Sequence, residues 1–172
     1  EGGYGVLLYM NLSGMMFFNS NYSFAEGDKL LLAFAGLLAR TFGKESCCRV
    51  SADQFAAYAK EERLEDILHR FLEESQGINR GNSLPVRVGI YTTRMEDVTV
   101  GIACDRAKLA CDTLRKTYGS GFAYYDENLE NDRVKRQYIL SNFDRALAEK
   151  WIQAYYQPII RTITGRVCDE EA

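Results

Sequence analysis

Short apolar runs alternate along the chain with longer amphipathic stretches. Residues 4–11 (YGVLLYMN) are almost continuously apolar, the pattern of a strand covered on both faces. Over 24–42, Leu30, Phe34, Leu37 and Leu38 share one helical face and Leu31, Ala35, Leu38 and Phe42 another, which predicts a helix apolar around much of its circumference. Residues 47–59 (CCRVSADQFAAYA) are two β-prone runs on either side of a turn that contains no glycine. A cleaner amphipathic helix is predicted over 63–74, with Leu64, Ile67, Leu68, Phe71 and Leu72 on one face. A polar loop with two glycines (75–83) leads to a strand over 86–92 (VRVGIYT). A helix over 104–116 follows, with Ala107, Ala110, Cys111 and Leu114 inward, and then a strand over 122–125. The order β-α-β-β-α-β-α-β predicts an α+β fold, a mostly antiparallel sheet covered by helices with a split βαβ front portion.

Beyond this set, residues 128–150 form a charge-rich helical stretch with an apolar seam of Val134, Tyr138, Ile139, Phe143 and Ala146. A new apolar strand (AYYQPII, 154–160) follows, in which Pro158 marks an edge or a strand end. It has no place in the earlier sheet and reads as the opening of a second domain. The expected organisation is a first domain over 1–127, a connecting helix over 128–150 and the start of another domain over 151–172.

Composition narrows the class of molecule. With 172 residues, 47% of them hydrophobic, the chain can bury one proper core and carry an extension. A net charge of −3 gives no electrostatic footprint for nucleic acid or an anionic membrane surface, so neither is expected as a partner. The cysteines at 47, 48, 104, 111 and 168 form no CxxC pair and no zinc pattern, and are expected to be buried reduced thiols of a cytoplasmic protein. The sequons at Asn11 and Asn21 are read as chance matches. No apolar run approaches the roughly 20 residues that span a bilayer, and the first residues do not read as a signal peptide.

The run Asn11 to Leu31 (NLSGMMFFNSNYSFAEGDKLL) resembles the GGDEF domain of diguanylate cyclases, which join two GTP molecules into cyclic di-GMP. Members of that family show DIDHFKxINDxYGHxxGDxLL here, and the surviving anchors are Asn19, Tyr22, Gly27, Asp28 and Leu31. The resemblance extends over 4–127, without the family's DxLTxxxNR motif. The tail YYQPIIRTITGRVCDEEA resembles the opening of an EAL domain, the cyclic di-GMP phosphodiesterase barrel, up to Glu171 and Ala172. Together they imply part of a bacterial GGDEF–EAL signalling protein.

What the resemblance implies for the site is loss of chemistry. Where the family has Gly-Gly-Asp/Glu-Glu-Phe, this chain has Ser51, Ala52, Asp53, Gln54 and Phe55. Glycines would admit positive φ and close approach to the nucleotide, whereas Ser51 and Ala52 put a Cβ in that space. One metal-binding acid is kept as Asp53, which reads equally as a solvated turn carboxylate. The other is replaced by Asn11 and its neighbouring acid by Ser13, so only a weak Mg²⁺ site is implied at Asp53 and Asn11. The family's phosphate-facing lysine falls on Asp112, within helical reach of Arg115 and Lys116. Lys116 stands in for a family arginine, and a second family lysine becomes Met16. Asn19 and Asp28 match residues that hydrogen-bond guanine, although Asn19 also suits a turn and Asp28 a helix N-terminus. The product-inhibition RxxD falls on Phe42 to Glu45 and is missing. His69 reads as a surface residue. In the tail, Glu171 matches the metal-binding glutamate of the EAL motif and Gln157 a residue of the barrel mouth. The implied molecule has no intact catalytic set. It takes GTP with weakly held Mg²⁺, and regulates its own EAL domain, with a second copy as a further partner. A residual diguanylate cyclase and a purely structural or dimerisation module stay open as alternatives.

Overall fold

The apolar run near the N-terminus becomes the central strand of a five-stranded sheet in the computed structural model, which describes residues 4–96 and 98–171. This strand, β1 (Gly5–Leu12), is followed by α1 (Met15–Tyr22), α2 (Phe24–Phe42), β2 (Cys47–Ser51), β3 (Gln54–Lys60) and α3 (Leu64–Gly77). Then come β4 (Val86–Thr92), α4 (Val100–Thr113) and β5 (Gly121–Tyr124). The sheet order is β2-β3-β1-β4-β5, with β1 antiparallel to both neighbours, β2 antiparallel to β3, and β4 parallel to β5 across the α4 crossover. The class is α+β, as the pattern predicted.

Strand alternation sorts the core into two layers. Val6, Leu8, Met10 and Leu12 of β1 face α2 and α3, where Leu30, Phe34, Leu37, Leu64, Leu68 and Phe71 bury the main core. Phe34 meets Phe55 and Phe71 edge-on, with ring centroids 4.9 and 5.6 Å apart. The opposite face of the sheet packs Tyr9 and Tyr91 against Ala103, Ala107, Ala110 and Cys111 of α4. Both faces of β1 are thus covered, which explains why its sequence does not alternate.

Gly89 of β4 sets the distance between α4 and the sheet. A Cβ at this position would overlap the carbonyl of Ala107 and the amide nitrogen of Cys111, both helix backbone. Helix backbone therefore rests directly on strand backbone, a contact that only glycine permits.

The structure differs from these expectations in several places. Helix α1 was not expected, because Asn19, Ser20 and Asn21 hide the i, i+3 pair Met15 and Phe18 that it buries. It is separated from α2 by Ser23, whose φ of 98° breaks the helix and whose hydroxyl caps α2 at Glu26 N–H. Helix α4 begins four residues before the expected 104, capped by Thr99, and tightens into a 3-10 turn at Leu114–Lys116. Of the cysteines expected to be buried, only Cys111 is; Cys47 and Cys104 are half-buried and Cys48 and Cys168 exposed, all of them free. Cys48 is exposed because its strand β2 lies at the sheet edge.

The chain divides into two compact units, Glu1–Glu130 and Asn131–Ala172. Helix α5 (Glu127–Ala148) carries the apolar seam; Val134, Tyr138, Ile139 and Phe143 are exposed on it and Ala146 is buried. In the second unit β6 (Gln157–Arg161) and β7 (Arg166–Glu171) pair antiparallel around a turn with Gly165 at φ 62°. Ala172 of the tail motif lies outside the described residues.

Replacing Gly89 by alanine is expected to destabilise the first unit by about 3 kcal/mol or more, because backbone rather than a pliable side chain must give way. Urea denaturation of the full chain followed by circular dichroism measures this. An unchanged midpoint would contradict the backbone contact.

Candidate functional site

The glycine-free turn is built by compensation. Ser51 pairs with Gln54, leaving Ala52 and Asp53 as a two-residue loop. Such loops normally need positive φ to match the strand twist, and neither Ala52 nor Asp53 adopts it. The mismatch is taken up by a register shift between Arg49 and Ser51. The Arg49 guanidinium holds the bend, donating from Nε to the Ala52 carbonyl at 2.8 Å and from Nη2 to the same oxygen. Leu12 N–H donates to the Asp53 carbonyl at 2.9 Å, tying the turn to the end of β1. Asp53 is thereby fixed beside Asn11, which lies in register with Gln54 on β3 and with Arg87 on β4.

Two clefts open from this point, and Asp53 lines both. One, of about 400 Å³, lies under α4 and is lined by Asn11, Asp53, Arg87, Lys108, Asp112 and Arg115 among others. The other, of about 510 Å³, lies against α1 and α2 and includes Met16, Asn19, Phe24, Asp28 and Arg49. The first is polar and holds three cations against two carboxylates. The second offers an apolar wall with an amide and a carboxylate at its edge.

Comparison with known proteins bears on the fold. No family model matches the chain. The uncharacterized protein y4lL of Sinorhizobium fredii is 26% identical over 176 residues, covering 96% of this chain and 21% of that protein. The chain thus spans about a fifth of the length of that curated relative. Among solved structures, an EAL/GGDEF domain protein from M. capsulatus superposes with a TM-score of 0.64 at 18% identity, covering 73% of this chain and 87% of that one. The active GGEEF domain of a diguanylate cyclase from Vibrio cholerae gives 0.63 at 12% identity, covering 72% and 84%. The fold is that of a GGDEF domain. At these identities the likeness is one of architecture.

Within this GGDEF fold the residues singled out in the sequence fall into separate groups. Asn11, Asp53 and Asp112 meet at the cleft under α4, and Asn19 and Asp28 at the cleft against α2. Asn19 sits in a helix rather than a turn, and its buried Oδ1 has no hydrogen-bond partner. Gly27 makes room for it, since a Cβ there would collide with that oxygen. Asp28 is exposed and lies beyond the first turn of α2, where Glu26 already answers the helix dipole. Asp112 pairs with Arg115 at 2.9 Å, the helix ion pair that the spacing predicted. Lys116 stands in the 3-10 turn after α4 and lines neither of the two clefts. His69 is exposed, its ring edge-on to Phe122 at 5.3 Å. Gln157 and Glu171 lie in the second unit, exposed and directly opposite one another in the β6–β7 register.

The donor set under α4 offers Mg²⁺ a single unpaired carboxylate, that of Asp53. That ion asks for hard, preferably charged oxygen ligands. Asp53 offers one carboxylate, and the Asn11 Oδ1 already accepts from the Ser13 hydroxyl at 3.1 Å. The Asp112 carboxylate is engaged by Arg115. Among the described residues no three His, Cys, Asp or Glu side chains converge on a metal position.

Sequence reasoning missed Arg87 and Lys108, and read Arg115 only as an ion-pair partner of Asp112. Their signal was present: Arg87 alternates with the buried Val86 and Val88, and so faces α4. Lys108, Asp112 and Arg115 are spaced i, i+4 and i+7 on one helical stripe. Between them Cys111 is buried, its thiol donating to the Arg87 carbonyl at 3.4 Å, and burial pushes its pKa up to about 11. The Tyr9 hydroxyl donates to Gln54 Oε1 at 2.7 Å, and burial raises its pKa as well.

A raised thiol pKa keeps Cys111 protonated, and therefore unreactive, at every pH below its folded value. A brief pulse of iodoacetamide near pH ~8, read by mass spectrometry, is expected to label Cys48 and Cys168 and to spare Cys111 until the chain is unfolded. Labelling of Cys111 in the native chain would contradict its burial.

Proposed function

We propose that this chain is a GGDEF module that has lost nucleotide cyclisation and binds GTP, regulating a cyclic di-GMP phosphodiesterase whose EAL domain begins at 151–172. The observation that carries the reading is the split at Asp53. On one side Asn19 and Asp28 line a cleft with an apolar wall, suited to a guanine edge and face. On the other, the strand-end residue beside Asp53 is the neutral Asn11, and the cleft's second carboxylate, Asp112, is paired with Arg115.

Cyclisation requires a 3′-hydroxyl activated for attack on an α-phosphorus, with metal ions neutralising charge on the phosphates. A single turn carboxylate next to a neutral amide, which already accepts from Ser13, does not supply the second negative charge. Guanine recognition asks for less: an acceptor for N1–H and N2–H₂, which the exposed Asp28 provides in the cleft that Asn19 also lines. Binding without turnover is the function that this combination supports. The EAL assignment is supported by the tail motif with Gln157 and Glu171. It is also consistent with the kind of protein found in M. capsulatus, an EAL/GGDEF domain protein. No helix among the described residues is long and apolar enough to cross a membrane.

Calorimetric titration of the full chain with GTP is expected to show binding that Asp28→Asn weakens about tenfold or more, the cost of one charge-assisted hydrogen bond. Incubation with GTP and Mg²⁺ or Mn²⁺ is expected to yield no cyclic di-GMP, and GTP to change the hydrolysis rate of a longer chain that includes the barrel. Turnover abolished by Asp53→Ala would make the chain a cyclase. Absence of any heat would make it a structural module.

A further inference from the structure

Three cationic side chains that the resemblance does not account for line the cleft under α4. Arg87 projects from β4 in the row Gln54–Asn11–Arg87, on the face that α4 covers. Lys108 and Arg115 come down from α4 on the same stripe and line the same cleft. Arg87 is half-buried, and its Nε is enclosed without a hydrogen-bond partner, while Nη2 donates to the Thr117 carbonyl at 3.3 Å. An enclosed guanidinium nitrogen with an unused donor is costly unless an acceptor reaches it. Lys108 is exposed at the cleft with no ion pair described for it, and Arg115 is bound to the Asp112 carboxylate at the cleft wall.

From this arrangement we propose that Arg87, Lys108 and Arg115 form a phosphate-binding subsite that neutralises the ligand's anionic end in place of a divalent cation, so that nucleotide binding here is metal-independent. The proposal rests on the GTP-binding reading above and deepens it. A polyphosphate carries several negative charges that must be met before it can enter a cleft next to Asp53 and Asp112. With the Mg²⁺ donor set reduced to one free carboxylate, that charge falls to the protein's own cations. Arginine supplies it in fork geometry and lysine as a mobile point charge, both suited to phosphoryl oxygens. The resulting complex holds phosphate without aligning it for displacement, which agrees with binding in the absence of turnover.

The test is a pair of titrations on the full chain, with GTP and with inorganic tripolyphosphate, each in EDTA and in Mg²⁺. The expected result is that GTP binds in EDTA within a few fold of its Mg²⁺ affinity and that tripolyphosphate in EDTA competes with it. Lys108→Gln, at an exposed position, and Arg87→Gln are each expected to weaken both ligands in EDTA by about tenfold, provided circular dichroism shows an unchanged fold. GTP binding only with Mg²⁺ would overturn the subsite and leave the GTP reading standing. Tripolyphosphate binding in EDTA that GTP does not match would keep the subsite and overturn the guanine reading. No binding of either ligand would overturn both.

Discussion

The cleft at the end of β1 depends on how closely α4 sits on the sheet. Gly89 lets the backbone at Ala107 and Cys111 lie against β4, and this brings the stripe of Lys108, Asp112 and Arg115 over the end of β1. The Cys111 thiol reaching the Arg87 carbonyl belongs to the same contact. Raising the helix by the radius of a methyl group would separate the cations of α4 from Arg87 and Asn11, and the cleft would become a shallow surface. One missing side chain therefore converts a crossover helix into the roof of a site.

The charge under that roof is mixed. The end of β1 offers an amide at Asn11, hydrogen-bonded to Ser13, and α4 presents Asp112 already paired with Arg115. Positive charge comes from Arg87 on the strand and from Lys108, one turn before Asp112 on the helix. The bend at Ala52 and Asp53 closes without glycine through a register shift and the Arg49 clamp on the Ala52 carbonyl. Asp53 keeps its position because β1 hydrogen-bonds to its carbonyl, whatever its side chain does.

Most of the architecture was legible in the sequence because burial imposes clean periods. The unbroken run of β1 announced a strand covered twice, and the i, i+3, i+4 spacing of α3 named its inner face. Helix α1 was not legible, since eight residues with only two buried side chains give no period strong enough to outweigh Asn19, Ser20 and Asn21. The cleft under α4 was half legible. Asn11, Asp53 and Asp112 stood at positions marked by a family resemblance, while Arg87, Lys108 and Arg115 are scattered over separate elements and acquire meaning only when the helix is docked. Buried thiols were overestimated because edge exposure of β2 depends on sheet order, which pattern alone does not fix.

The central claim is that nucleotide can be held here by protein cations without being readied for reaction. Its most direct test is a crystal structure of the full chain grown with GTP and excess Mg²⁺. The account predicts guanine at Asn19 and Asp28 and phosphate oxygens on Arg87 and Lys108, with no divalent ion bridging Asn11 and Asp53. Two divalent ions seated between Asn11 and Asp53, with the triphosphate bound to them, would contradict it.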